Sequence, residues 1–420
     1  MRAAALAVLT AVLVLASAVA CTSGSSTSHH APTMREISAL LDRHGAAVLH
    51  KSSHDFLADI DSDSAAAGFR GAQRAQIQAL SAVPLLMWSY SVEAPATDAN
   101  AAAAASKRLD APAVIVHLSL RYRLAVGDPV PSVHDLWWTF VRRGNRVLAS
   151  ADGDLANEGG ASWQGPWDFG PIVTRRSATT LVLAHPDSGV DLAAVVAVSD
   201  AAVARVTSVV GSDWVGQAVI ILPASSVEAQ AVGGAPTTIS DVSADAVFDP
   251  APGPDGQLTG ARVLMAPSVW QRLSAVGRGI TLRHELTHVA LAKDTTIDTA
   301  RWVVEGTAEY VANLDTGQSA SEIASELRTD VRAGRLPDAL PEDSAFGGST
   351  APAAYEQAWL ACRLIATRSG AGGLLRFYRT VGTTAAPGDG PVAAGLRAVL
   401  HASLASFTAA WRQYIRTELG

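Results

Sequence analysis

The chain has 420 residues, 49% hydrophobic and 17% charged, long and apolar enough for two or three domains that each bury a core. Its formal net charge is −7 and its pI is near 5.9. Lys and Arg are scattered along it, so no broad basic surface invites nucleic acid.

The N-terminus, "MRAAALAVLTAVLVLASAVAC", has one Arg, an unbroken apolar run and the small residues Ala18-Val19-Ala20 before Cys21. This pattern is an export signal rather than a folded helix or a membrane span. A cysteine directly after the small residues resembles a bacterial lipobox, with Ala18 at the position usually held by leucine. The resemblance implies a lipid anchor on Cys21 that tethers the chain to the outer face of the cell membrane. Cleavage at Ala-x-Ala with simple secretion is the alternative, and both place the protein outside the cytoplasm. Residues 22–33, "TSGSSTSHHAPT", are polar and Ser/Thr-rich, which suits a flexible tether, with His29 and His30 solvated. Cys362 sits among apolar neighbours at helical spacing and reads as a buried core thiol.

Residues 34–170 form a first unit. "MREISALLDRHGAAVLH" and "FRGAQRAQIQALSAV" carry helical periodicity. In "VIVHLSLRYRLA", Val114, Val116, Leu118, Leu120, Tyr122 and Leu124 alternate with Ile115, His117, Ser119, Arg121 and Arg123, the period of a half-buried strand. "LWWTFVRRGNRVLAS" predicts a hairpin turning at Gly144-Asn145. Helices followed by a meander make an α+β layer fold. In layout it is similar to the cone of helices and curved sheet of the nuclear-transport-factor-like superfamily. Such cones often hold small ligands, for which Trp137, Trp138, His117 and His134 are candidates. The plainer reading, core aromatics and surface histidines, is favoured. "GGASWQGPWDFGP" closes the unit.

Residues 171–420 form a second. "TTLVLAHP", "AVIILPA", "ADAVFD" and "ARVLMAP" are strands, with a long helix through "DLAAVVAVSDAAVARVTSVVG" after the first of them. Everything beyond residue 267 has helical patterning: a small mixed sheet, then a helical C-terminal half.

The chemistry is concentrated in "TLRHELTHVALAKDTTIDTARWVVEGTAEYVANL", residues 281–314. His284 and His288 lie one helical turn apart, so both imidazoles project from one face and can share a metal. Glu285 lies between them and points toward the same cleft. Two histidines and a carboxylate on zinc leave a fourth position for water, whose pKa the metal lowers toward ~7. Ile280, Leu282, Leu286, Val289 and Leu291 supply the apolar packing of such a helix. A histidine pair on an ordinary amphipathic helix is the plain alternative.

The third ligand has two candidates. A metzincin-like pattern would use Asp294, but Leu291 replaces the glycine that turns the chain there. "ARWVVEGTAEYVANL" instead resembles the gluzincin pattern at Trp302, Val303, Glu305, Gly306, Ala308 and Tyr310. The resemblance, closest to the exported peptidase MA-like domains, implies a zincin fold and zinc held by His284, His288 and Glu305. It also implies that Glu285 is the general base. Glu309 falls where a carboxylate orients the first histidine, or is a solvated glutamate. "APAAYEQAWLACRLIA" is similar to a gluzincin helix whose tyrosine binds the oxyanion, which gives Tyr355 that role or one in packing. The strand "ARVLMAP" is a candidate to pair with an extended substrate. The resemblance covers 280–370 by motif and 171–420 by layout. It implies a zinc peptidase acting on peptides or proteins. The competing class is a non-catalytic surface binding protein that uses zinc for stability.

Overall fold

A computed structural model describes residues 30–234, 244–249, 258–296, 298–384, 388 and 390–420. The expected export signal, Cys21, His29 and most of the expected tether lie outside them. The chain is α+β, with two sheets and a helical C-terminal half.

The first unit opens with helices α1 (Met34–Leu49), α2 (Ser53–Ala58) and α3 (Ala67–Leu80). A capping box between Thr33 and Glu36 starts α1. Strands β1 (Leu85–Pro95), β2 (Ala113–Leu124), β3 (Ser132–Arg143) and β4 (Arg146–Ala151) form an antiparallel meander, with α4 (Ala99–Leu109) between the first two. The alternation expected in β2 is realised: Val116, Leu118, Leu120, Tyr122 and Leu124 share a core with Ile37, Leu40 and Ile77 of the helices. The hairpin turns at Gly144-Asn145, where Gly144 takes φ 59°, a value that glycine adopts without strain.

Two elements were not legible from periodicity. Of β1's eleven residues only Trp88 is buried, so no period of two appears. The helix α4 is mostly alanine, a strong helix former with no apolar stripe, started by Asp98 accepting from the amides of Asn100 and Ala101. Of the pocket candidates, Trp138 points inward, whereas Trp137 stacks on His117 at 4.6 Å. His134 is buried and stacked on Trp163 at 3.7 Å.

The second sheet contains β5 (Val173–Arg176), β6 (Thr180–Ala184), β7 (Ala218–Leu222), β8 (Asp245–Val247) and β9 (Arg262–Leu264), in the order β5-β6-β7-β9-β8. The three central strands are parallel and the two edges antiparallel. Both faces are covered, as the unbroken apolar runs of β6 and β7 require. Leu181, Leu183, Val219, Ile221 and Leu264 join the core of the first unit. Val182, Ala184, Ile220, Leu222 and Val263 join the helical core. Thus "ARVLMAP" cannot pair with a substrate strand, because β9 is bonded on both sides; the short return strand β8 takes the edge.

Helix α5 (Leu192–Val210) crosses from β6 to β7, and α6 (Ser226–Gly233) follows β7. By length and composition α5 could span a bilayer, yet Val195, Val203 and Val206 are buried in the helical core. The helical half comprises α7 (Pro267–Arg272), α8 (Ala275–Leu291), α9 (Arg301–Asn313), α10 (Ala320–Ile323), α11 (Ser325–Arg332), α12 (Ala351–Thr383), α13 (Gly390–Leu400) and α14 (Leu404–Leu419). Two helical stretches of the sequence merge into α12 across a kink at Gly370, whose φ is 75°.

The two units are also joined by a buried ion pair. Arg262 of β9 donates from Nη2 to Asp128 Oδ2 at 3.0 Å, to Ser132 Oγ at 3.3 Å and to the Tyr122 hydroxyl at 3.4 Å. Removing one partner strands the other charge away from water. Asp128→Ala should therefore lower stability by about 3–5 kcal/mol in denaturant unfolding. Replacing Asp128 and Arg262 together by apolar residues should cost less than the single change.

Candidate metal centre

The site is built where α8, α9 and α12 meet. Ser274 caps α8, its hydroxyl accepting from the Gly277 amide. Leu282, Leu286, Ala290 and Leu291 seat the helix in the core, which turns His284 and His288 toward α9. Arg283 ties the two helices together, donating from Nη1 to the carbonyls of Ala312 and Leu314 at the end of α9. Gly306 brings α9 against α12: a Cβ there would lie 2.4 Å from the Ala358 carbonyl oxygen and 2.9 Å from the Cys362 sulfur. Cys362 itself is fully buried, 3.7 Å from the Thr307 hydroxyl, and burial pushes its thiol up to about 12.

Three ligand atoms converge. His284 Nε2 and His288 Nε2 are 3.1 Å apart, and Glu305 Oε2 lies 3.4 Å from the first and 3.5 Å from the second. An ion holding such donors at ~2.0–2.1 Å in a tetrahedron needs edges of about 3.3–3.4 Å. The triangle therefore matches one tetrahedral face, and His284, His288 and Glu305 form a cluster that can hold a metal ion.

A supporting carboxylate stands behind His284. Glu309 Oε1 lies 3.1 Å from His284 Nδ1, and its other oxygen accepts from Asn313 Nδ2 at 2.9 Å. A proton on Nδ1 shared with Glu309 leaves the Nε2 lone pair facing the cluster. Burial opposes charge on His284, but Glu305 and Glu309 outweigh it and raise its pKa well above the usual histidine value. Burial likewise opposes ionisation of Glu305, and the two imidazoles reverse this and hold its carboxyl well below the usual range. Positive charge is what this cluster favours.

Glu285 is 8% exposed and sits on the same stretch of α8 as the ligands. Tyr355, near the start of α12, has its ring 6.3 Å from that of His284. Burial and the Glu305 charge push its hydroxyl up to about 12. Glu356 beside it has a structural task, accepting the amides of Glu326 and Leu327 at the start of α11. Asp294, the other third-ligand candidate, is elsewhere: it lies in the turn Ala292–Asp294 after α8 and accepts from Arg379 Nε at 3.0 Å.

Three neighbours were missed from sequence. Arg301 donates from Nε to Glu305 Oε1 at 3.4 Å, so one oxygen of that carboxylate is held while the other faces the imidazoles. An Arg one turn before a Glu is a readable i,i+4 pair. The Arg301 guanidinium also lies over the Phe346 ring at 5.5 Å, and Phe346 meets Tyr355 edge-on at 5.2 Å. Asp245, on the edge strand β8, is pushed up to about 6 by burial and by the charge of Glu285. No sequence signal joins a strand residue to a helix so far along the chain.

Comparison with protein-family models, curated proteins and solved structures gives no match to this chain.

Loss of an orienting carboxylate typically costs 10–100-fold in metal affinity. Glu309→Gln should weaken metal binding by about that factor in a competition titration against a chromogenic chelator. Glu356→Gln, whose carboxylate lies outside the cluster, should leave it unchanged.

Proposed function

We propose that this chain is a zinc-dependent hydrolase of peptide bonds, of gluzincin type and similar to peptidase MA-like domains. The observation that carries the proposal is the triangle of His284, His288 and Glu305 ligand atoms with Glu285 beside it on the same helix. The donor set fits zinc, which takes two imidazoles and a carboxylate and keeps one position open. When bound, zinc would supply a charge that polarises a carbonyl and lowers the pKa of water.

The chain's own residues account for the remaining steps. Glu285 takes a proton from the attacking water and returns it to the leaving amine, the work of a general base that becomes a general acid. Tyr355 offers its hydroxyl, held protonated by its surroundings, to the oxygen on which negative charge develops. Glu309 fixes the ring of His284 through Nδ1. Among the described residues β8 is an edge strand, on whose outer side an extended peptide can add by backbone hydrogen bonds. Asp245 on that strand puts a carboxyl near Glu285.

A purely structural zinc site would more often close with four protein ligands and has no use for a glutamate in the position of Glu285. The apolar N-terminus ending at Cys21 supports a location for this activity outside the cell membrane, lipid-tethered or secreted.

Elemental mass spectrometry of the protein should find one zinc per chain, lost in Glu305→Ala. A peptide-library digest should show cleavage by the zinc-loaded protein and none by Glu285→Gln, which should still bind zinc. Turnover retained in Glu285→Gln would reject that residue as the base. Zinc bound without any cleavage would favour the binding-protein class.

A further inference from the structure

The first unit contains a cavity that the hydrolase site does not use. It lies between α3, the meander and the closing segment 159–171, and its free volume is about 30 Å³. Its walls are aromatic: Trp88, Tyr90, Trp138, Trp163 and Trp167. Trp88 and Trp167 meet edge-on at 5.4 Å, and Tyr90 and Trp138 lie 5.5 Å apart. Exposed Asp152 and Gln164 mark the open end.

The polar part of the lining is negative. Asp168 is met by the Gln76 amide at 2.7 Å and by the Gly165 N–H at 2.8 Å, both neutral donors. Among the described residues no Lys, Arg or His pairs with Asp168 or with Asp152. Gln73, 4% exposed, has a carbonyl oxygen without a partner, as does Gln76. A carboxyl and two amide oxygens thus belong to residues lining a pocket with five aromatic side chains, and among the described residues no cationic side chain pairs with them. Such surroundings attract a cation, through the ring quadrupoles and the carboxylate together. Burial pushes the Asp168 carboxyl up to about 7, and a cation beside it would favour its ionised form.

Size narrows the class. A single water needs about 10–15 Å³ of such space, so the cavity holds a head group of roughly two heavy atoms. That fits –CH2–NH3⁺ and excludes a trimethylated ammonium.

We propose that this cavity binds the ammonium head of an unbranched primary amine, with the rest of the ligand leaving past Asp152 and Gln164. The site is independent of the hydrolase reading, so it makes the first unit a recognition module whether or not the second unit cleaves peptides.

The test uses the whole protein after metal removal with a chelator, so that no amine can act on a bound ion. The probes are n-propylammonium chloride, 1-propanol and tetramethylammonium chloride at constant ionic strength, read by tryptophan fluorescence. Propylammonium should give a saturable change, with 1-propanol and tetramethylammonium each at least tenfold weaker. Asp168→Asn should weaken propylammonium at least tenfold, and the probe series on the wild-type protein decides the matter if that variant does not fold. Equal binding of 1-propanol would reduce the cavity to an apolar hollow and overturn the proposal. Equal binding of tetramethylammonium, or no saturation with any probe, would overturn it as well.

Discussion

The cluster that can hold a metal ion depends on how closely α9 can approach α12. With no side chain at Gly306, α9 rests directly on the Ala358 carbonyl and the Cys362 sulfur. Glu305 immediately precedes that contact, so the depth at which α9 seats sets where its carboxylate stands relative to the two imidazoles. The same α12 carries Tyr355 on its first turns. One backbone approach therefore positions a ligand and the candidate oxyanion donor together. Close-packed interiors transmit such constraints because a core cannot deform by small amounts without loss.

The second sheet does the corresponding work at larger scale. Its alternate residues serve two cores, one under the helices of the second unit and one shared with the meander of the first. The Arg262–Asp128 pair crosses the same boundary with both charges desolvated. A pair of this kind contributes less to net stability than to a single docking geometry, because any other arrangement leaves a charge buried alone. Since β9 carries Arg262 and β8 pairs with β9, the edge that borders the metal cluster is in register with the first unit.

Charge explains why the cluster is poised for an ion. Glu305 and Glu309 both face His284, one on each ring nitrogen, in a site largely closed to water. Low dielectric makes each of these interactions stronger, and an unbalanced one costlier, than it would be at the surface. The aromatic cavity of the first unit poses the same problem in another form, a carboxyl group with neutral partners only.

The sequence by itself determined what is local. Period-two alternation located β2, the Gly144-Asn145 pair located a hairpin, and His284 and His288 shared a helix face because the helical repeat is short and fixed. Glu305 was nameable because its motif is contiguous, and Arg301 was within reach as its i,i+4 partner. The tertiary structure decided whatever depends on residues far apart in the chain. Strand order put β8 rather than β9 at the sheet edge among the described residues, because short parallel strands do not announce their neighbours. Asp245 came to the cluster through that order, and Phe346 through the packing of α9 on α12. Trp88 and Tyr90 of β1, Trp138 of β3 and Trp163, Trp167 and Asp168 of the closing segment meet around the cavity only when the three layers close.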